Sequence, residues 1–284
     1  MGQTVMNAVL GCRAGAATDP GFVRSNNEGR VYTDESAGIF LVVDGIGGQA
    51  AGEMAAQTAA DVISRYLIEN EADVCAAITA ANNEIYRLSR EREEWHGMAC
   101  VLTLAVAQED RITVGHVGDS RLYLVWNGTI RKITSDHSVV GELEDSGQLT
   151  EAEAMAHPKR NEVFRDVGSR PREATDGEFI EVRSFPFRPS AALLLCTDGL
   201  SDALTAGEIN DIVQRYSGDA AVVAQELVDA ANRMGGKDNI SVIFVAGPEF
   251  AGDRRMRNSA TQVREVKSWW RRLLNTIGRR IERH

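Results

Sequence analysis

Hydrophobic and polar positions fall along this chain in two kinds of block. Short runs rich in branched and aliphatic residues, bounded by polar turns, predict strands over residues 39–43, 100–107, 111–117, 122–126, 179–183, 192–196 and 240–245. Apolar residues recurring every three or four positions predict helices over 50–68, 73–92, 206–216 and 219–234, the last opened by Ser-Gly-Asp capping chemistry. The links Gln-Glu-Asp, Gly-Asp-Ser and Trp-Asn-Gly-Thr are too short for helical crossovers, so they favour antiparallel pairing. Strands and helices come in blocks rather than in strict alternation. The fold class is therefore α+β, packed antiparallel sheets with helices outside.

Residues 136–172 break the pattern. They are polar, with two short helical patches at 139–146 and 151–156 followed by His-Pro-Lys-Arg-Asn, and read as an insertion lying over the domain. The body spans 1–247, a linker 248–261, and a last amphipathic helix 262–284. In that helix Val263, Val266, Trp270, Leu273, Leu274, Ile277 and Ile281 recur at helical spacing, with Arg264, Lys267, Arg271, Arg272, Arg279 and Arg280 between them.

Charge divides the chain the same way. The net charge of −10 over 284 residues argues against nucleic-acid binding by the whole chain. From Arg254 onward, ten Lys/Arg face two Asp/Glu, a net of +8, which leaves −18 on the body. The basic helix has three readings: docking on its own acidic body or a second copy, lying on an anionic membrane, or filling a partner's groove. The four cysteines are scattered without a CxxC pair, which fits free thiols in a reducing cytoplasmic compartment. The N-terminal stretch lacks the pattern of a signal peptide, position 6 is Met where a myristoylation motif needs Ser or Thr, and no run reaches the length of a membrane span.

Five aspartates gather at strand ends. Phe-Leu-Val-Val-Asp-Gly ends a run at Asp44, and Val-Gly-Asp-Ser-Arg ends one at Asp119. Cys-Thr-Asp-Gly-Leu-Ser-Asp supplies Asp198 and Asp202, and Lys-Asp-Asn sets Asp238 before a strand. In antiparallel neighbours the end of one strand and the start of the next share an edge, so these carboxylates are expected to converge. Converging carboxylates repel unless protonated or neutralised by cations, and oxygen-only ligands select hard ions such as Mg²⁺ or Mn²⁺. A pair of ions about 4 Å apart can generate a hydroxide and clamp an in-line displacement at phosphorus. The alternative is a set of turn residues that never meet. The glycine-rich Asp44-Gly-Ile-Gly-Gly turn lacks both the Lys-Ser/Thr end of a P-loop and G-x-G-x-x-G spacing, so it is not read as a nucleotide cradle.

Taken in order, TDPGFVRSNNEG, VVDGIGG, HVGDSRLY, ITSDHS, CTDGLSD and GGKDNISV resemble the metal-dependent type 2C serine/threonine protein phosphatases, the bacterial-style members most of all, over residues 18–245. The resemblance implies two face-to-face antiparallel sheets flanked by helices, an αββα sandwich. It also implies hydrolysis of phosphoserine and phosphothreonine by a metal-bridging hydroxide, on phosphorylated proteins and opposite a cognate kinase. By resemblance, Asp44 bridges two Mn²⁺ or Mg²⁺ ions and the Gly45 carbonyl binds the second. Asp198 and Asp238 bind the first, and Glu28 stands near the second. Asp119 and Asp202, sharing Asp198, hold a weaker third. Arg24 grips the substrate phosphate, and the 136–172 insertion matches a variable flap that shapes substrate choice.

Two positions depart from that pattern. Gly29 stands where the family carries an Asp that holds metal-bound water, and Ile46 stands where some members carry a His proposed as general acid. His137 is a substitute to weigh for that acid, against a structural role by the flap. His116, within a strand, reads as a hydrogen-bonded core residue. The histidines show no zinc-type spacing. Gly29 also leaves a rival function open, a catalytically weak homologue serving as a phosphoprotein-binding scaffold. A third is an enzyme acting on a small phosphorylated molecule or on a phosphorylated regulator of transcription.

Overall fold

The computed structural model describes residues 11–252, apart from 49, 71, 72 and 174. Ten strands form two five-stranded antiparallel sheets. One has the order β1 (Arg13–Asp19), β10 (Ile240–Ala246), β9 (Ala191–Cys196), β6 (Arg121–Trp126), β7 (Thr129–Lys132). The other runs β2 (Gly29–Asp34), β3 (Ile39–Ile46), β4 (Ala99–Gln108), β5 (Arg111–Val117), β8 (Glu181–Pro186). The helices α1 (Ala50–Glu69) and α2 (Val74–Glu91) cover the second sheet. Short helices α3 (Val139–Asp145), α4 (Glu151–Met155) and α5 (Asp198–Ser201) follow in the chain, and α6 (Ala206–Val213) and α7 (Ala220–Arg233) cover the first sheet.

Strand parity builds these layers. In β3, Ile39, Leu41 and Val43 face α1 and α2, while Phe40 and Val42 face the opposite sheet. In β10, Val242 and Phe244 face α7, while Ile243 and Val245 meet the other sheet. With both faces covered, β4, β9 and β10 are buried almost throughout, which is why they read as continuous apolar runs rather than alternating ones.

Three strands escaped the sequence pattern: β1, β2 and β7. One predicted link also changes meaning. Gln-Glu-Asp and Trp-Asn-Gly-Thr close hairpins, with Glu109, Asn127 and Gly128 at positive φ. Gly-Asp-Ser closes none, because β5 and β6 lie in different sheets and this turn carries the chain across the sandwich. The insertion is tied down at both ends. Asp136, His137 and Ser138 are buried, and single bridges pair Ser138 with Val163 and Cys100 with Val167. Asn82 and Asn83 of α2 hold the backbone of Gly168, Arg170 and Arg172. The start of the expected linker is anchored too, since Phe250 is buried against Tyr216 and Phe244. The expected basic helix at 262–284 lies outside the described residues.

Candidate active site

At one end of the sandwich the inner layer turns from apolar to polar. Continuing the parity of Phe40 and Val42 brings Asp44 onto the inter-sheet face, directly opposite Gly29 in β2. Asp198 begins α5 at the end of β9, and Asp238 precedes β10, its antiparallel neighbour. These two share a sheet edge, as expected. Asp44 and Asp119 reach the cluster otherwise, across the gap between sheets.

The glycines after Asp44 serve close backbone approach. A Cβ on Gly45 would stand 2.2 Å from the Gly52 carbonyl oxygen in α1, and a Cβ on Gly52 would stand 1.8 Å from Glu28 Oε2. Glu28 therefore lies over the bare backbone of α1's first turn, beside Gly45. Its N–H donates to Asn239 Oδ1 at 2.8 Å, while Asn239 Nδ2 donates to the carbonyls of Pro20 and Asn26 at 2.9 Å each. Asn239 thus staples the loops carrying Glu28 and Arg24 to the strand carrying Asp238. Sequence reasoning passed over it, although its place directly after Asp238 was a signal. Arg24 Nη2 donates to Asp238 Oδ2 at 2.7 Å from an exposed position on the rim. Arg160, from His-Pro-Lys-Arg-Asn, donates to Asp202 Oδ2 at 2.6 Å and was also missed.

The charges of the predicted carboxylates act on one another. Burial, then the charges of Asp238, Asp119 and Glu28, push Asp44 up to about 8, against a hydrogen bond shared with Asp198. Asp119 rises to about 7 through burial and the charge of Asp136. Asp198 rises well above the carboxylate range through burial and the charges of Asp119, Asp44, Asp202 and Asp238. Burial also raises Asp202, with Arg160 opposing. Asp198 Oδ1 is buried without a hydrogen-bond partner. Beyond burial, the charges that raise Asp198 come from the carboxylates of Asp119, Asp44, Asp202 and Asp238, and an oxygen set of that kind fits hard divalent ions.

The departures take on physical form here. Ile46 is partly exposed at the rim and carries no proton. His137 is buried, and its Nδ1 accepts the Gly118 N–H at 3.0 Å, so it is no proton donor to a substrate. His116 is fully buried, bonded to Thr103 and to the Ser135 carbonyl, as a core residue would be. None of the four cysteines forms a disulfide, and among the described residues no helix is long and apolar enough to cross a membrane.

Comparison with known proteins agrees with this geometry. Residues 29–233 match the protein phosphatase 2C family, and the chain belongs to that family. The serine/threonine phosphatase stp of Listeria welshimeri is 33% identical over 242 residues, 80% of this chain and 93% of that protein. The serine/threonine protein phosphatase PstP of Mycobacterium tuberculosis is 34% identical over 237 residues, 81% of this chain but 44% of PstP. A crystal structure of PstP superposes with a TM-score of 0.74 at 33% identity, covering 83% of this chain and 98% of that one. The PstP catalytic domain in complex with two manganese ions gives 0.73 at 31% identity, covering 83% and 97%.

Proposed function

We propose that this protein is a metal-dependent serine/threonine phosphatase that hydrolyses phosphoserine and phosphothreonine in proteins. The observation that carries the reading is the cluster of Glu28, Asp44, Asp119, Asp198, Asp202 and Asp238 at the end of a two-sheet sandwich, with the Asp198 oxygen buried and unpartnered. Asp44 would serve both catalytic Mn²⁺ or Mg²⁺ ions. Asp198 and Asp238 would hold the first, and the Gly45 carbonyl with Glu28 nearby would serve the second. Asp119 and Asp202, sharing Asp198, would hold a weaker third. Bound ions supply a nucleophile at neutral pH and neutralise charge on the phosphoryl oxygens.

The chain's own groups do the rest. Arg24, held at the rim by Asp238, keeps guanidinium donors free for a phosphate dianion. Ile46 carries no proton and His137 is buried with Nδ1 occupied, so the leaving alkoxide would take its proton from water or from another group. The flap, anchored through Asn82 and Asn83, borders the site through Arg160 and shapes substrate choice.

The test is hydrolysis of a phosphothreonine peptide with and without Mn²⁺. Turnover should need the ion, and Asp198→Asn should lower it by a factor of about 100 or more, as expected when an oxygen ligand and its charge are lost. Turnover without metal, or none with it, would sink the reading. The partners are phosphorylated proteins and an opposing serine/threonine kinase. The basic stretch 262–283 serves location rather than chemistry. Flotation of the full-length protein with anionic vesicles, beside a chain ending at Gly252, separates membrane contact from docking. The cut falls after Phe250 because that ring belongs to the core.

A further inference from the structure

Asp119 hangs on a loop that the sheets do not hold. Gly118 sits at φ +107, with Val101 packed where a Cβ would go. Its two backbone groups are both taken by one residue distant in sequence. His137 Nδ1 accepts the Gly118 N–H at 3.0 Å, and the His137 N–H donates to the Gly118 carbonyl at 2.7 Å. On the other side of Asp119, Ser120 Oγ lies 2.7 Å from Thr103 Oγ1, which lies 2.9 Å from His116 Nδ1. The His116 Nε2–H donates to the Ser135 carbonyl at 3.1 Å. That last bond fixes every proton in the chain: Ser120 donates to Thr103, and Thr103 donates to His116.

His116, His137 and Glu181 bring ligand atoms within 4.8 Å of one another, the spacing of a metal site. The ring nitrogens are committed elsewhere. Both of His116 are bonded, and Nδ1 of His137 faces Gly118, leaving only its Nε2, with the acceptor Glu181 Oε2 at 3.8 Å and Arg165 Nη1, a donor that cannot accept from an Nε2–H, at 3.3 Å. The cluster is built to hold a loop.

We propose that His137 is a positioning residue: a neutral imidazole with its proton on Nε2 that sets the Gly118 peptide plane and thereby orients the Asp119 carboxylate for the weaker third cation. This rests on the reading of Asp119 as a ligand of the weaker third ion.

Calorimetric titration of the metal-free full-length protein with Mn²⁺ tests it. Asn places its Oδ1 where His carries Nδ1, whereas Gln reaches only toward Nε2. His137→Ala and His137→Gln should weaken the weakest Mn²⁺ class by about 10-fold or more and leave the tight class unchanged, while His137→Asn stays within about threefold of wild type. Wild-type weak binding in all three, or Asn no better than Gln, overturns the proposal while leaving the phosphatase reading intact. If Asp119→Ala also leaves weak binding unchanged, the ligand assignment falls with it. Nitrogen-15 spectra of the wild-type imidazoles give a readout independent of any variant's folding. They should show a bare Nδ1 and protonated Nε2 for His137 from about pH 5 to 8, and the other tautomer or a cation there would overturn the proposal.

Discussion

Gly29 is paired directly with Asp44, so a side chain at 29 would project onto the same face, beside the carboxylate cluster. The space is not empty. A Cβ there would stand 2.3 Å from Ser241 Oγ and 3.1 Å from Asn27 Oδ1, and Ser241 Oγ is already bonded to Thr18 at 2.9 Å. Gly29→Asp alone must turn that hydroxyl aside. The double variant Gly29→Asp/Ser241→Ala is therefore expected to tighten Mn²⁺ binding by about 10-fold, and the single variant by less. Calorimetry reads both, and wild-type affinity in the double variant would mean that position 29 has no part in holding the ions. At this scale Asp44, Asp119 and Asp198 were legible because each ends an apolar run, and Asp238 because it precedes one. Asn239 and Arg160 were not, because their partners lie far along the chain: Asn239 serves Glu28, Pro20 and Asn26, and Arg160 serves Asp202.

Among elements, α1 is set by what its first turn lacks. Gly52→Ala puts a methyl into the Glu28 carboxylate. The expected outcome is loss of Mn²⁺ affinity by about 10-fold, with helix propensity improved rather than harmed, so circular dichroism should stay unchanged. Asn82 works at the other end of the flap, accepting from Gly168 and donating to Arg170. Asn82→Ala should cost about 1–3 kcal/mol, a fall of several degrees in melting temperature. Limited proteolysis should then find the 136–172 segment first. The long helices and buried strands were read from sequence because periodicity and burial agree in them. The strand β1, Arg-Ala-Gly-Ala-Ala-Thr-Asp, has no branched aliphatic residue to announce it. Its pairing with β10 makes it a strand, and Gly15 is needed because a Cβ would stand 2.1 Å from the Ala221 nitrogen in α7. The short β7 is likewise defined by its partner β6.

For the whole molecule, the raised carboxyls set a pH dependence. Asp44 at about 8 and Asp119 at about 7 hold protons in the folded chain that an unfolded chain releases near pH 4. Through that window these two groups bind more protons in the folded state and withdraw stability as pH rises, while buried His116 and His137, whose pKa values burial lowers, oppose them below about pH 6.5. The melting temperature of the cation-free protein should therefore fall from about pH 6.5 to 8, and added Mn²⁺ should raise it more at pH 8 than at pH 5. A flat or rising profile would contradict the cluster. The architecture was legible as far as two packed sheets. Which strands shared a sheet was not, because the Gly-Asp-Ser turn looks like a hairpin and instead crosses the sandwich.

That crossing has a mechanical side. Asp44 belongs to one sheet, Asp198 and Asp238 flank neighbouring strands of the other, and Asp119 sits on the strap between them. Away from this end the sheets touch through apolar side chains. At this end the carboxylates proposed to hold one ion come from both plates. A bound cation is then a rivet, and the spacing it demands is a gauge of how the plates are aligned. A substitution deep in the inter-sheet layer, at Phe40 or Leu195, far from any ligand, would be felt at the rivet as a change of pitch.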